Sequence, residues 1–235
     1  MGQAILSCAR REPDRYQITA QPGRGGDLPV TLRLGEVVVD FSGPALIHDL
    51  LAACCAADKP LVIGTTGHDA GERAVITEAA KEIPIVFAAN YSVGVNTLFW
   101  LTRQAARILG PSFDLEVIEV HHRLKKDAPS GTARRLAEIL AEVRELTYEK
   151  DSRHGRQGII GERTGSEIGV HAVRGGDVVG EHTVLFADAG ERVELVHRAT
   201  SRETFALGAL RAAAWLRCRP AGLYDMEDVL GLRSL

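Results

Sequence analysis

Three short apolar runs rich in β-branched residues punctuate the first part of the chain, at residues 37–41 (V-V-V-D-F), 60–64 (P-L-V-I-G) and 83–87 (I-P-I-V-F). Between them, apolar positions recur at helical spacing and predict helices over 45–57 and 70–81. Strands that are apolar throughout and separated by helices imply a parallel sheet covered on both faces. In such a sheet ligands bind beyond the carboxyl ends of the strands. Those ends are Asp40-Phe41-Ser42, Gly64-Thr65-Thr66 and Ala88-Ala89-Asn90-Tyr91, small or hydrogen-bonding residues suited to a nucleotide. Taken alone, Gly64-Thr65-Thr66 is also what an ordinary turn into a helix looks like.

A further helix over 96–109 carries the chain into a second region that begins near Ser92. There, 113–120 (F-D-L-E-V-I-E-V) reads as a strand, and Ala133, Leu136, Ala137, Leu140 and Val143 mark a helix. Alternating, turn-punctuated strands follow at 168–173, 183–186 and 192–197, predicting an antiparallel or mixed sheet. Residues 203–215 return to a helical pattern. Composition fits this two-part reading, with 235 residues, 45% hydrophobic and 25% charged. A net charge of −3 and 5% aromatic residues argue against a nucleic-acid surface. Cys8, Cys54, Cys55 and Cys218 show no metal or redox spacing, so reduced thiols and a cytoplasmic setting are expected. The apolar runs are too short to span a membrane, and the start lacks a secretory core.

The richest chemistry lies in E-V-H-H-R-L-K-K-D-A-P-S-G-T-A, residues 119–133, between a strand and a helix. Pro129 disfavours helix at Ala128 and leaves Ser130 as the N-cap, so the helix should begin at Ser130-Gly131-Thr132. The first N–H groups of a helix lack internal partners, and its dipole favours an anion there. With His122, Arg123, Lys125 and Lys126 just ahead, the run suits a small dicarboxylate. Strand alternation puts His121 and Glu119 on one face and His122 on the other. Adjacent histidines splay apart, and no further Cys or His sits at ligand spacing, so no metal is expected. Histidine beside lysine points instead to proton transfer. A capped helix behind solvated basic residues would explain any single member, but not the whole set.

This run resembles the signature of the dihydrodipicolinate reductase family of lysine and diaminopimelate biosynthesis. V-I-G-T-T-G at 62–67, F-A-A-N-Y-S-V-G-V-N at 87–96, R-G-G-D-V-V-G-E-H-T at 174–183 and the block at 186–202 are similar to it as well. The resemblance implies a Rossmann-like parallel-sheet domain (1–91 plus 203–235) and an α+β substrate-binding and oligomerisation domain (92–202). It implies NAD(P)H-dependent reduction of 4-hydroxy-tetrahydrodipicolinate, with His121 as acid/base and Lys125 as proton donor. His122, Ser130, Gly131 and Thr132 would bind the substrate carboxylates. Gly64, Thr65, Thr66, Ala88, Ala89, Asn90 and Tyr91 would hold the nicotinamide half of NADPH or NADH. The resemblance also implies a homotetramer.

Family members open with a strand and a G-x-G-x-x-G turn. Here Met1-Gly2 looks like the end of that turn, residues 3–11 like the first helix, and 16–20 like the second strand. The intact later motifs favour a true start upstream of Met1 over native truncation. Where many relatives carry an acid for the adenosine ribose, this chain has Gly23 with Arg24 beside it. That arginine suits a 2′-phosphate and tilts the expectation towards NADPH. One rival reading is a non-catalytic dicarboxylate-binding or assembly subunit. Another is a nicotinamide oxidoreductase acting on a different small acid.

Overall fold

The computed structural model describes residues 1–21 and 27–234. Helix α1 (Gly2–Arg11) and the short α2 (Leu28–Leu32) precede an alternation of β1 (Val38–Asp40), α3 (Ile47–Ala56), β2 (Leu61–Ile63), α4 (Ala70–Ala79) and β3 (Pro84–Phe87). Next come α5 (Val93–Leu109), β4 (Asp114–His121), α6 (Gly131–Val143), α7 (Tyr148–Asp151) and β5 (Ser152–His154). Three longer strands follow, β6 (Ile168–Arg174), β7 (Gly180–Asp188) and β8 (Glu191–Ala199). The chain finishes through α8 (Glu203–Leu216), β9 (Gly222–Tyr224) and α9 (Met226–Leu230). It divides into two compact units, Met1–Val93 with Glu203–Leu235, and Gly94–Arg202.

In the first unit β1, β2, β3 and β9 form a parallel sheet in that order among the described residues. Successive side chains on a strand face opposite ways. Leu61, Ile63 and Ile85 therefore pack with Ile47, Leu50 and Ile76 of α3 and α4 on one face. Val62 and Val86 pack with Ile5 and Ala9 of α1 and Ala209 of α8 on the other. Local chemistry sets the helix starts: Asp69 and Glu72 form a reciprocal capping box that opens α4.

Residues 16–20, expected as a strand, form none. The chain turns as it leaves α1, where the N–H groups of Arg15 and Tyr16 both donate to the Glu12 carbonyl at 3.0 Å. Strand β1 lies at the sheet edge. Among the described residues no strand lies along its outer side, and residues 16–20 do not pair there. α8 fits closely in this unit because a Cβ on Gly208 would overlap the Tyr91 carbonyl oxygen. Gly208→Ala is expected to destabilise the fold by about 1–3 kcal/mol, read from the urea midpoint. An unchanged midpoint would show that the helix can shift without cost.

The second unit is a five-stranded mixed sheet, in the order β5-β6-β4-β7-β8. β4 is central, parallel to β6 and antiparallel to β7. Leu115 and Val117 of β4 point with Val184 and Phe186 of β7 to the face covered by α5 and α6. On the open face Glu116 accepts from Arg156 at 2.7 Å, Arg163 at 3.0 Å and His171 at 2.7 Å. Burial alone would raise the Glu116 pKa, but these three donors hold it down at about 2. Gly169 lies beneath, where a Cβ would collide with that carboxylate. No helix among the described residues is long and apolar enough to cross a membrane.

Candidate functional site

The parity of β4 builds the site. Starting from Leu115 and Val117 on the covered face, alternation carries Glu119 and His121 inward as well, with 0% and 8% exposure. An ionised carboxylate at 0% exposure must be paired to be tolerated. Glu119 is paired on every side. Its Oε2 lies 2.5 Å from His121 Nδ1, and Arg174 donates to both carboxylate oxygens at 2.7 and 2.8 Å. The Ser130 backbone N–H donates to Oε1 at 3.0 Å.

Arg174 reaches Glu119 because β6 runs parallel to β4 and pairs it beside His121. Its guanidinium also donates to the Asp127 carbonyl at 2.7 Å, tying the loop to the sheet. Burial would raise the Glu119 pKa, yet the bonds from Arg174, His121 and Ser130 outweigh it and the net shift is downward. His121 moves downward too, chiefly through burial, which the Glu119 carboxylate opposes and the charges of Lys125 and Arg174 reinforce. A carboxylate on Nδ1 fixes the imidazole proton there and leaves Nε2 as the basic nitrogen. The ring lies against backbone at Gly180, where a Cβ would sit 2.9 Å from Nε2.

Ser130 is the N-cap of α6 and accepts from Ala133 N–H at 3.1 Å, as its sequence position requires. Gly131 is exposed, with open space where a Cβ would stand, so a ligand can approach the helix start. Lys125 is mostly buried and pairs with Asp127 at 2.9 Å, and this bond lowers the Asp127 pKa. His122 is half-buried, with Nδ1 lacking a hydrogen-bond partner among the described residues. His121, His122, Lys125, Ser130, Gly131 and Thr132 therefore all belong to the strand-to-helix connection between β4 and α6 in the second unit.

The other predicted residues lie at the carboxyl ends of the first sheet. Gly64 follows β2, and a Cβ there would run into the Phe41 ring, so glycine permits the close approach of the two strand ends. Thr65 is buried and donates to Asp40 at 2.5 Å, and Ser42 donates to the same carboxylate through its hydroxyl at 2.5 Å and its N–H at 3.1 Å. Thr66 is exposed beside them. Ala88, Ala89 and Asn90 follow β3, and Asn90 Oδ1 accepts from Ser92 N–H at 2.8 Å. Tyr91 is 1% exposed, its hydroxyl shared between the carbonyls of Ile63 at 2.8 Å and Val86 at 3.0 Å. It braces the ends of β2 and β3. Small and hydrogen-bonded residues thus tie together the carboxyl ends of β1, β2 and β3. Arg24, expected near the adenosine ribose, lies outside the described residues.

Sequence reasoning assigned no catalytic or binding role to Glu119, Arg174 or His182, and it took Asp40 only as part of a strand end suited to a nucleotide. Glu119 carried a usable signal, the two-residue spacing from His121. Arg174 and His182 carried only the family resemblance of the block at 174–183, which does not reveal that strand pairing brings each to the site.

The chain matches the family model described as dihydrodipicolinate reductase, N-terminus, over residues 1–91, and the one described as dihydrodipicolinate reductase, C-terminus, over 94–230. A relative from Akkermansia muciniphila named 4-hydroxy-tetrahydrodipicolinate reductase is 57% identical over 235 residues, covering 100% of this chain and 95% of the relative. One of the same name from Pseudomonas fluorescens is 53% identical over 207 residues, covering 88% of this chain and 77% of the relative. Among solved structures, the dipicolinate-bound dihydrodipicolinate reductase from Paenisporosarcina sp. TG-14 aligns with a TM-score of 0.68 at 27% identity. That alignment covers 86% of this chain and 76% of the other. Since the family models between them span both units, the chain belongs to the dihydrodipicolinate reductase family.

Proposed function

We propose that this chain carries out its family's reaction through a divided set of residues, the substrate held by the second unit and the pyridine nucleotide by the first. The reaction is reduction of 4-hydroxy-tetrahydrodipicolinate to tetrahydrodipicolinate, with loss of water. The observation that carries the reading is the Glu119 centre: a fully buried carboxylate that fixes His121, Arg174 and the start of α6 at once. Mere binding of a diacid does not require a histidine held in one tautomer beside a lysine.

When bound, reduced nicotinamide supplies the hydride. Loss of water from the 4-hydroxy substrate leaves a conjugated imine, which on accepting the hydride gains electron density and takes a proton from Lys125. His121 exchanges a proton through Nε2 while Glu119 holds Nδ1. The N–H groups at Gly131 and Thr132, the Ser130 hydroxyl and His122 bind the carboxylates, with the cations ahead of α6 stabilising developing charge. Gly64, Thr65, Thr66, Ala88, Ala89 and Asn90 hold the nicotinamide half, with Tyr91 bracing them, and Arg24 favours NADPH over NADH.

A homotetramer is part of the same proposal. The open face of the second sheet carries Ile118, Val120, Val173, Leu185 and Val196, of which Val173 and Val196 are 48% and 41% exposed. Such an apolar stripe suits a second copy. Unpaired cysteines suit a cytoplasmic setting.

The test measures nucleotide oxidation by the purified chain on addition of 4-hydroxy-tetrahydrodipicolinate, with NADPH and NADH compared. Turnover inhibited by pyridine-2,6-dicarboxylate is expected. Calorimetric binding of pyridine-2,6-dicarboxylate without any nucleotide binding or turnover would leave the non-catalytic reading instead.

A further inference from the structure

His182 lies opposite Glu119 in the antiparallel pairing of β7 with β4, and its ring stands edge-on to His121 at 5.2 Å. It is 4% exposed. Its Nε2 lies 3.1 Å from Ser130 Oγ, and its Nδ1 is buried without a hydrogen-bond partner among the described residues. Burial beside His121 pushes its pKa down to about 3, so the ring is neutral and carries one proton.

Two proton arrangements are compatible with these contacts. In the first, the Ser130 hydroxyl donates to Nε2 and the ring proton sits on Nδ1, leaving a buried N–H orphaned. In the second, Nε2–H donates to Ser130 Oγ, and only a lone pair on Nδ1 goes unpartnered. Orphaned buried N–H groups are the rarer and costlier kind. The second arrangement is therefore favoured, and it changes what Ser130 can do. Its oxygen then accepts twice, from His182 Nε2–H and from Ala133 N–H. Its own proton is left for a ligand.

We infer that His182 is a positioning residue whose Nε2–H makes the Ser130 hydroxyl a free hydrogen-bond donor to a substrate carboxylate at the start of α6. The inference rests on the proposed placement of that carboxylate at Ser130, Gly131 and Thr132. A serine locked as donor discriminates: it bonds an ionised carboxylate more strongly than a neutral carbonyl and gives nothing to an amide N–H at the same point.

The test combines two measurements. Nitrogen-15 NMR of the ring in the unaltered protein should find the His182 proton on Nε2. Calorimetry with pyridine-2,6-dicarboxylate should find affinity about tenfold or more weaker in His182→Leu. His182→Gln, whose amide N–H reaches the same oxygen, should recover most of it. Ser130→Ala should weaken binding comparably, and the Ser130→Ala/His182→Leu double variant should add little further. A proton on Nδ1, or wild-type affinity in His182→Leu, would overturn the inference while leaving the site intact. Wild-type affinity in Ser130→Ala would instead remove the carboxylate placement, and the inference with it. The NMR result decides the matter even where a His182 variant fails to fold.

Discussion

Glu119→Ala is expected to cost about 3–5 kcal/mol of unfolding free energy, because removing one partner of a buried charge pair strands the other. Arg174 is partly exposed and keeps bonds to the carbonyls of Asp127 and Val173, which places the expected loss towards the lower end. Ser130 N–H and His121 Nδ1 would lose their acceptor in the same step. Glu119→Gln separates this structural cost from the chemistry. The amide keeps the shape and one acceptor but no longer compels a proton onto His121 Nδ1. Its turnover should fall by about 10²-fold or more, with a smaller change in KM. Normal kcat in Glu119→Gln would show that His121 works without a fixed tautomer.

The same carboxylate predicts a pH dependence with a definite sign. Its pKa is lowered in the folded state, so the unfolded chain binds its proton first as pH falls. The stability Glu119 contributes is complete above the unfolded value of about 4.3 and is lost as pH falls through the folded value. The stability gap between wild type and Glu119→Gln should therefore narrow below that pH. His121 and His182, both lowered by burial, add an earlier loss that begins as pH drops through about 6.5. The histidines are present in both proteins, so a gap that widened as pH falls below about 4.3 would contradict the Glu119 assignment.

Much of the fold is legible in the sequence wherever a single period governs a segment. The apolar run at 60–64 could only be a strand buried on both faces, and β2 is that strand, with Leu61, Val62 and Ile63 at 0% exposure. Pro129 and Ser130 announce the start of α6, and the structure begins it at Gly131. Residues 16–20 fail for a reason no local pattern reveals, since a strand exists only beside a partner. The site divides along the same line. The loop at 119–133 is contiguous, so its chemistry can be read directly. Arg174 and His182 come from elsewhere in the chain, and the registers that deliver them, His121 opposite Arg174 and Glu119 opposite His182, are properties of pairing. Asp40 likewise gains its meaning from Thr65, which a parallel neighbour brings to it.

Lys125→Ala should reduce turnover by about 10²- to 10⁴-fold, the range that a positioned proton donor contributes. Its nucleotide binding should stay close to wild type, because Lys125 belongs to the second unit and the predicted nicotinamide contacts to the first. Alanine alone cannot say whether the lost function was proton transfer or simple attraction for a dianion, since it removes both. Lys125→Arg separates them. Arginine keeps the positive charge and can still pair with Asp127, but it does not release a proton in any accessible pH range. If Lys125 donates the proton, the arginine variant should bind pyridine-2,6-dicarboxylate nearly as well as wild type while its kcat stays close to that of alanine. If charge alone matters, arginine should restore both. Full turnover in either variant would assign the proton to another group, and His121, fixed by Glu119 and depressed towards its neutral form, would be the first to examine.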